Sequence, residues 1–381
     1  AQHSYNWHDA IKEKSPLYID SLNPCGFNIK EPCDDDNHGT HTMGTMVGSD
    51  SLNEIGVAPK AKWIACRNMD RGYGKLTTYL ECFEWFMAPT DTSGLNPEID
   101  KAPHVINNSW YCSTEEGCNI SNWDALHIAV KNLKASGIVV VVSAGNNGSN
   151  CGSLNGPPAI FESSFSVGAT SQNDTIASFS SRGLVIIDSS GRLKPDISAP
   201  GRNIRSVIKG GSFANFNGTS MAGPHVAGTV ALMISANPSL AGQVEEIEHI
   251  LEVTADKKYT EQSCDVSGQI SPNPVYGHGR INALKAVEMA LAYIANTDEG
   301  NSILEEVKIS PNPFEDMIHI SYKNKTAKME VSIFDLNGKL LFFKKASDTE
   351  QVYNLSKLTK GTYVVKITHG NETAIRKIVK I

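Results

Sequence analysis

Apolar, strand-like runs alternate with helix-like patterns along residues 1–295. The predicted strands are Ala61–Cys66, His104–Asn107, Ile138–Ser143 and Phe165–Ala169. The predicted helices are Thr77–Met87, Trp123–Ala135, Ser220–Ala236 and Ile281–Ile294. Short unbroken apolar strands separated by helices are typical of a parallel sheet that is covered on both faces. We therefore predict an α/β fold with a doubly wound, mostly parallel sheet.

The pattern changes after the polar segment 296–302, where apolar and polar residues begin to alternate. The strands predicted in this part are Met317–Tyr322, Lys328–Asp335, Lys339–Lys344, Thr362–Thr368 and Ala374–Ile381. Turn residues separate them, including Asn337-Gly338, Lys360-Gly361 and Gly370-Asn371. This spacing predicts a small antiparallel β-sandwich. The predicted organisation is one domain over 1–295, a linker over 296–304 and a second domain over 305–381.

Composition excludes several classes of protein. The 381 residues are 40% hydrophobic and 20% charged, which is the balance of a folded globular chain. No apolar run approaches the roughly 18 residues that span a membrane. The net charge of -7 argues against nucleic-acid binding, and we assign the lysines of the tail to a solvated face. The chain begins at Ala1 without a leader, so we expect a processed form or a fragment.

Two segments rich in small residues carry the candidate chemistry, one over 37–48 and one over 217–228. Each has the pattern of a loop that leads into a helix packed closely against other backbone. His38 and Ser220 fall in the first turns of these two helices. The free N–H groups of a helix start favour the negative charge of acyl transfer, and a serine nucleophile needs an adjacent base. His38 is the candidate base, because a doubly wound sheet brings distant strand ends to one edge.

A third segment begins as the buried strand pattern Val139–Ser143 and continues through Gly145 to Asn146. An amide at this strand end is in a position to donate a hydrogen bond to an oxyanion. Loss of one such donor typically costs about 3 kcal/mol of transition-state stabilisation.

These segments resemble the subtilisin-like serine peptidases, and most closely their bacillopeptidase F-like branch. The histidine motif is matched at 38–41, the serine motif at 218–225 and the oxyanion asparagine at 143–146. Supporting stretches at 106–110, 167–170, 176–183 and 194–201 follow in the order of that family. The matches cover about residues 35–290 and occur jointly, so the resemblance is specific.

The resemblance implies a subtilisin-like fold and a set of residue roles. His38 would act as general base and then general acid, and Ser220 would form the acyl-enzyme. Asn146 and the Ser220 backbone N–H would form the oxyanion hole. The residues implied in substrate binding are Ser109, Trp110, Tyr111, Ser143, Ala144, Gly145 and Thr219. No cofactor is required for this chemistry, while structural calcium is implied by the family although no loop here specifies it.

The sequence departs from the family in its aspartate. No Asp-(Ser/Thr)-Gly motif precedes His38, and the first strand of the family is missing. Asp9, Asp20 and the run Asp34–Asp36 are weak candidates for the orienting acid. We expect an N-terminally truncated domain with little activity, derived from a gene that encodes an active peptidase. Tyr111 is a second departure, because glycine is usual at that position, and it is expected to narrow the pocket or alter substrate approach.

Other histidines and the cysteines have structural interpretations. His41 and His225 are expected to pack or hydrogen-bond within their helices, and a metal site built on His38, His41 and Asp34–Asp36 is a minor alternative. The eight cysteines suggest an oxidising compartment. We predict local disulfides Cys25–Cys33 and Cys112–Cys118, while Cys66 and Cys82 pair or remain buried thiols. Cys151 and Cys264 stay unassigned.

Residues 307–381 resemble the C-terminal sorting domains of the type IX secretion system of Bacteroidetes. The motifs that carry this resemblance are 309–314, 331–338, 358–365 and the closing 377–381. It implies export across the outer membrane by the type IX machinery and a secreted or cell-surface protein. A small carbohydrate-binding or stabilising sandwich is the alternative, although no exposed aromatic cluster supports it.

We therefore expect a monomeric, secreted serine endopeptidase that acts on proteins or peptides through an acyl-enzyme. A catalytically inactive subtilase-fold binding or scaffold protein is the alternative from another class.

Overall fold

The computed structural model describes residues 3–18, 23–293, 307–321, 329–335, 339–346, 350–369 and 372–380. The chain divides into two compact units, Ala1–Leu291 and Ala292–Ile381. Several sequence-based predictions lie outside the described residues, namely the linker at 296–304, Asp20 with Ser21 and Leu22, and the turns at Asn337-Gly338 and Gly370-Asn371.

The first unit contains ten strands and six α-helices among its described residues. The strands are β1 (Trp7–Asp9), β2 (Ala65–Arg67), β3 (Met69–Asp70), β4 (Tyr73–Gly74), β5 (Val105–Asn108), β6 (Val139–Ser143), β7 (Phe165–Thr170), β8 (Ile197–Pro200), β9 (Ile204–Val207) and β10 (Phe213–Phe216). The helices are α1 (His38–Val47), α2 (Leu76–Met87), α3 (Trp123–Ala135), α4 (Thr219–Ala236), α5 (Val244–Thr254) and α6 (Ala283–Ala292).

A parallel sheet of four strands, in the order β5-β6-β7-β8, forms the centre of this unit. The valines of β6 are fully buried and point alternately to opposite faces. Val140 and Val142 belong to the apolar core that α2 and α3 cover. On the other face α4 crosses the sheet, and a Cβ on its Gly223 would lie 3.7 Å from Val141 Cγ1. The predicted parallel sheet with helices on both faces is confirmed.

The strands nearest the N-terminus differ from the sequence-based prediction. β1 pairs in parallel with β2, although no strand is expected before His38. The predicted strand Ala61–Cys66 is wrong over most of its length, because the strand covers only Ala65–Arg67. Its partner β1 has three residues, and Trp63, which precedes the strand, is 42% exposed. β9 and β10 form an antiparallel hairpin that ends just before α4.

Four disulfide bonds link all eight cysteines, with Cα–Cα distances of 5.3–5.8 Å. The predicted local pairs Cys25–Cys33 and Cys112–Cys118 are both formed. Cys66 also pairs with Cys82, so that β2 is joined to α2. Cys151 pairs with Cys264 across a separation of 113 residues, which sequence spacing alone does not indicate.

The second unit is built from antiparallel strands. They are β11 (Lys308–Ser310), β12 (Met317–Ser321), β13 (Met329–Phe334), β14 (Leu340–Ala346), β15 (Glu350–Asn354), β16 (Gly361–His369) and β17 (Glu372–Lys380). One sheet has the order β11-β12-β15 and the other β14-β13-β16-β17. Alternate residues of both sheets, such as Ile318, Ile320, Val331 and Ile333, share one apolar cluster. The alternation predicts five of these strands but not β11 or β15.

No helix in the described ranges is both long enough and apolar enough to cross a membrane.

Candidate active site

Ser220 is the second residue of α4, a helix whose small residues allow close approach to its neighbours. A Cβ on Gly223 would lie 2.6 Å from Asn107 Oδ1 of β5. A Cβ on Gly228 would lie 2.6 Å from Val57 Cβ and 3.4 Å from the Met46 carbonyl oxygen of α1. The first-turn amides of a helix lack intrahelical acceptors, and they favour negative charge near Ser220.

Asn146 follows β6 and is held by the start of α4. Its Oδ1 accepts hydrogen bonds from the Thr219 backbone N–H at 2.9 Å and from the Thr219 hydroxyl at 3.0 Å. These bonds fix the amide so that its Nδ2 faces Gly218. A Cβ placed on Gly218 would lie 3.5 Å from Asn146 Nδ2, 3.5 Å from Ser220 N and 3.7 Å from Ser220 Cβ. The two nitrogens therefore lie around one point beside the serine.

The backbone of Ser220 is also held by the end of β5. The Ser109 hydroxyl donates to the Ser220 carbonyl at 2.8 Å, and the Ser220 hydroxyl donates to the Ser109 carbonyl at 3.3 Å. Asn107 Nδ2 donates in turn to the Ser109 Oγ at 2.8 Å. This network fixes the direction of the Ser220 side chain. Asn107 has no predicted role, because a polar residue in a short strand carries no distinctive sequence signal.

His38 is the first residue of α1, which packs against α4 and against β9. The anchor is His41, whose Nε2 lies 3.0 Å from the Ile204 carbonyl and 3.1 Å from the Ala214 carbonyl. The His41 ring stacks on Phe216 with a centroid distance of 4.3 Å. Phe216 is the last residue of β10 and is followed closely by Ser220. The first turn of α1 is thus attached to the segment that leads into α4.

His225, like His41, is expected to pack or to form a hydrogen bond within its helix, and it does so. His225 Nδ1 lies 2.9 Å from the Met221 carbonyl, within α4. Burial lowers the pKa of both His41 and His225. Both rings are therefore neutral hydrogen-bonding groups near pH 7.

Burial is also the main influence on His38, and it lowers the pKa of the imidazole. The nearby charges of Asp36 and Asp34 act in the opposite direction, but burial outweighs them. His38 is therefore neutral at neutral pH, which is the form that a general base needs.

None of the described carboxylates forms a hydrogen bond with His38. Asp34 instead accepts from the backbone N–H groups of Asp36, Asn37 and Thr40 and from the Thr40 hydroxyl. Burial by itself would raise the pKa of Asp34, but these hydrogen bonds outweigh it and hold that pKa below its usual value. Asp34 thus caps the start of α1.

The other carboxylates considered from the sequence have different partners. Asp35 pairs with Arg67, which lies 3.3 Å from Asp9 Oδ2. Asp9 also accepts from the backbone N–H groups of Ile11 and Ile29, and burial raises its pKa. Burial likewise raises the pKa of Asp36.

The predicted pocket residues lie on the segment after β5, at and just after the end of β6 and, for Thr219, at the start of α4. The Trp110 indole stacks on Tyr79 at 3.8 Å between ring centroids and packs against the core. Ser143 and Ala144 are buried, and the Gly145 N–H donates to the Thr219 hydroxyl at 3.2 Å. Tyr111 is 53% exposed, and it is the large side chain at this edge.

The described residues contain no group of three or more His, Cys, Asp or Glu side chains arranged to hold a metal ion. The alternative metal site at His38, His41 and Asp34–Asp36 finds no support, because His41 Nε2 contacts backbone carbonyls and Asp34 caps α1.

Comparison with known proteins identifies the family. Residues 9–279 match the model of the subtilase family, and residues 308–381 match that of the secretion system C-terminal sorting domain. The chain belongs to the subtilase family of serine peptidases and carries a type IX sorting domain at its C-terminus. Both resemblances inferred from the motifs are confirmed.

Curated relatives agree with this assignment. The chain is 40% identical to Bacillopeptidase F of Bacillus subtilis (strain 168) over 293 residues, covering 75% of this chain and 18% of that protein. It is 35% identical to Subtilisin E of the same organism over 226 residues, covering 58% of this chain and 51% of that protein. The chain thus spans about a fifth of the first relative and about half of the second.

A solved structure supports the fold. The structure of the Prenylagaramide maturation protease PagA matches with a TM-score of 0.51 and 20% identity, covering 68% of this chain and 84% of that one. The first unit therefore has a subtilisin-like fold.

Proposed function

We propose that this chain is a secreted serine endopeptidase with Ser220 as nucleophile, His38 as general base and Asn146 as an oxyanion donor. The observation that carries the proposal is that Asn146 Nδ2 and the Ser220 N–H lie around one point beside the Ser220 side chain. The hydrogen bonds of Asn146 Oδ1 to Thr219 support the same role, because they leave the amide N–H groups free to donate.

The nearness of His38 to Ser220 is part of this proposal. The His41–Phe216 stack holds the first turn of α1 against the chain that enters α4. The Met46 carbonyl of α1 lies 3.4 Å from a Cβ position on Gly228 of α4. Met46 is eight residues after His38, and Gly228 is eight residues after Ser220. The proposal takes the two helices to run in the same direction, in which case the equal spacing brings His38 level with Ser220.

In the proposed mechanism the Ser220 Oγ attacks the substrate carbonyl while His38 takes the hydroxyl proton. The resulting oxyanion accepts from Asn146 Nδ2 and the Ser220 N–H. Collapse of the intermediate breaks the C–N bond, and His38 returns the proton to the leaving amine. Water then attacks the acyl-enzyme by the same route and releases the new carboxylate. This sequence needs no metal or cofactor, and structural calcium stays a prediction that a melting curve with and without chelator tests.

The proposed site has no acid that orients His38 among the described residues. Since no described carboxylate is hydrogen-bonded to His38, we expect slow turnover from this chain. Removal of that acid lowers turnover about 10⁴-fold in known triads.

A serine-directed fluorophosphonate tests the assignment, because it needs only the activated hydroxyl and the oxyanion site. We expect slow labelling of Ser220 and none of Ser220→Ala or His38→Ala. Labelling that persists in Ser220→Ala would refute the nucleophile assignment.

The alternative is a catalytically inactive binding or scaffold protein with the subtilase fold. The lack of a described acid partner for His38 favours it. Absence of Ser220 labelling in a folded protein, together with tight binding of a denatured protein substrate, would support this alternative over the peptidase.

The domain boundaries proposed are 1–295 and 305–381, with 296–304 as a linker. The second domain is proposed to direct export through the type IX machinery to the cell surface or medium. Deletion of 305–381 should hold the protein in the periplasm of a type IX-competent host. Unchanged secretion without the tail would overturn the export proposal and leave the peptidase proposal intact.

A further inference from the structure

Tyr111 lies where the sequence motif of the family has a small residue, and its ring covers a glycine. A Cβ on Gly156 would lie 3.2 Å from Tyr111 Cδ2, 3.5 Å from its Cβ and 3.6 Å from its Cγ. The space that Gly156 leaves open is therefore occupied by the aromatic ring. The tyrosine is nevertheless 53% exposed, so the opposite side of the ring faces solvent.

The backbone on both sides of Tyr111 is fixed. Ser109 is hydrogen-bonded to Ser220. The Trp110 ring stacks on the Tyr79 ring with a centroid distance of 3.8 Å and an interplanar angle of 5°. After the tyrosine, the Cys112 N–H donates to the Pro157 carbonyl at 2.9 Å, and Cys112 forms a buried disulfide with Cys118. The ring over Gly156 is thus carried by a backbone that is fixed on both sides.

The segment opposite Tyr111 is tied to the oxyanion strand. Asn147, which follows Asn146, donates from its Nδ2 to Asn155 Oδ1 at 3.1 Å. Gly156 thus lies between the segment that continues from Ser109 and the segment that continues from Asn146. The first segment begins at Ser109, which is hydrogen-bonded to the proposed nucleophile Ser220, and the second begins at the proposed oxyanion donor Asn146. The side chain beside a reacting carbonyl is therefore expected to enter the gap between them.

We propose that Tyr111 limits this gap to substrates with a small side chain, such as alanine or serine, immediately before the cleaved bond. The inference rests on the proposed function and names the substrate class of that site. A bulky side chain meets the Tyr111 ring, which lies over Gly156 on a backbone that is held at Ser109 and Cys112. A difference of one methylene group in an apolar pocket typically separates substrates by about 10-fold to 200-fold.

Peptidyl diphenyl phosphonates test this inference, with either a methyl or a benzyl group on the carbon bonded to phosphorus. In this reaction the Ser220 Oγ–P bond forms, one P–O(phenyl) bond breaks, and the serine proton leaves on phenol by way of His38. The measured quantity is the ratio of the benzyl labelling rate to the methyl labelling rate. We expect a low ratio in the parent chain and a ratio about tenfold or more higher in Tyr111→Ala.

Two controls isolate the ring. Tyr111→Phe keeps the ring and should keep the low ratio of the parent. Tyr259→Ala removes another tyrosine of similar exposure, 54%, from outside the site and should also keep it. Thermal melting confirms that each variant is folded.

The outcomes separate this inference from the proposed function. An unchanged ratio in Tyr111→Ala, or a parent that already prefers the benzyl probe, would overturn the pocket inference while Ser220 labelling upholds the peptidase. A parent whose Ser220 reacts with neither phosphonate nor with a small fluorophosphonate would overturn both.

Discussion

The Ser109 hydroxyl donates a hydrogen bond to the carbonyl of Ser220, the proposed nucleophile, and so links the segment after β5 to α4. Ser109→Ala leaves this carbonyl without its donor, and a net hydrogen bond of about 1 kcal/mol corresponds to roughly a fivefold change. We expect fluorophosphonate labelling of Ser220 to slow by about that factor. The labelling rate should recover in Ser109→Thr, which retains the hydroxyl.

Ser136→Ala is the matched control, because Ser136 is exposed at the end of α3 and its hydroxyl bonds only to the local Asn132 carbonyl. Its labelling rate should equal that of the parent. A Ser109→Ala protein that labels at the parent rate would show that the network does not position Ser220.

Asn146 gives a sharper residue-scale prediction, because its two amide atoms have separate tasks. Asn146→Asp keeps an oxygen that can accept from Thr219 but replaces the Nδ2 donor by a negative oxygen. Loss of an oxyanion donor costs on the order of 3 kcal/mol, which is 10²-fold or more in rate. We expect the labelling rate to fall by at least that factor. The control is Asn132→Asp, an exposed change on α3, which should leave the labelling rate unchanged. An Asn146→Asp protein that labels as fast as the parent would exclude the oxyanion role.

At the scale of elements, α1 depends on Asp34 for its start. Asn37 occupies the N-cap position without a side-chain hydrogen bond. Asp34 instead accepts hydrogen bonds from the backbone N–H groups of Asp36, Asn37 and Thr40. Asp34→Ala should lower the free energy of unfolding by about 1–2 kcal/mol, as loss of a helix cap does. Urea unfolding at neutral pH measures the change.

Asp36→Ala is the control for this helix cap, since burial raises the pKa of Asp36 and outweighs the opposing charges of His38 and Lys209. It should lower stability less than Asp34→Ala. Because the folded-state pKa of Asp34 is lowered, its contribution is present at neutral pH and is lost as pH falls below about 4. Equal stability of the two variants at pH 7 would contradict the capping role.

At the scale of the whole first unit, a cavity of about 660 Å³ is lined by α3, α5 and the segments before β7 and β8. Glu248 and Glu252 of α5 face it together with Asp196. Burial first, and then the charges of neighbouring carboxylates, raise the pKa of Glu252 to about 7. Lys134 pairs with Glu248 at 2.7 Å, and His278 lies 3.7 Å from Glu252.

A raised folded-state pKa makes the charge of Glu252 unfavourable above that pKa. The folded chain then binds more protons than the unfolded chain between pH about 4.5 and about 7, so this contribution to stability falls as pH rises through that window. Glu252→Gln should match the parent near pH 5 and exceed it by on the order of 2 kcal/mol at pH 8. Urea unfolding at both pH values measures the difference.

The exposed change Glu246→Gln on the same helix is the control and should show no such dependence. A Glu252→Gln difference that stays constant from pH 5 to pH 8 would exclude titration of this carboxyl as its source.

Patterns local to the sequence were sufficient for much of this fold. The valine run of β6 and the helices α2 and α3 have the predicted bounds to within one residue. A strand buried on both faces is apolar throughout, and a helix buried along one face has apolar residues at helical spacing, so both can be read from residue type. Ser220 and His38 are at the predicted helix starts for a related reason. Close packing requires glycine at Gly44 in α1 and at Gly223 and Gly228 in α4, and these small residues mark both helices in the sequence.

Contacts between distant segments set the features that these patterns missed. Strand β1 exists through pairing with β2, and Cys151 bonds to Cys264 from 113 positions away. Three further features likewise depend on which neighbours surround each side chain. They are the helix cap formed by Asp34, the orientation of the Asn146 amide and the position of the Tyr111 ring over Gly156. The order of residues thus specifies the elements and the reactive groups, whereas hydrogen-bond partners and pocket shape arise when the chain packs, because they are properties of pairs that the linear pattern does not encode.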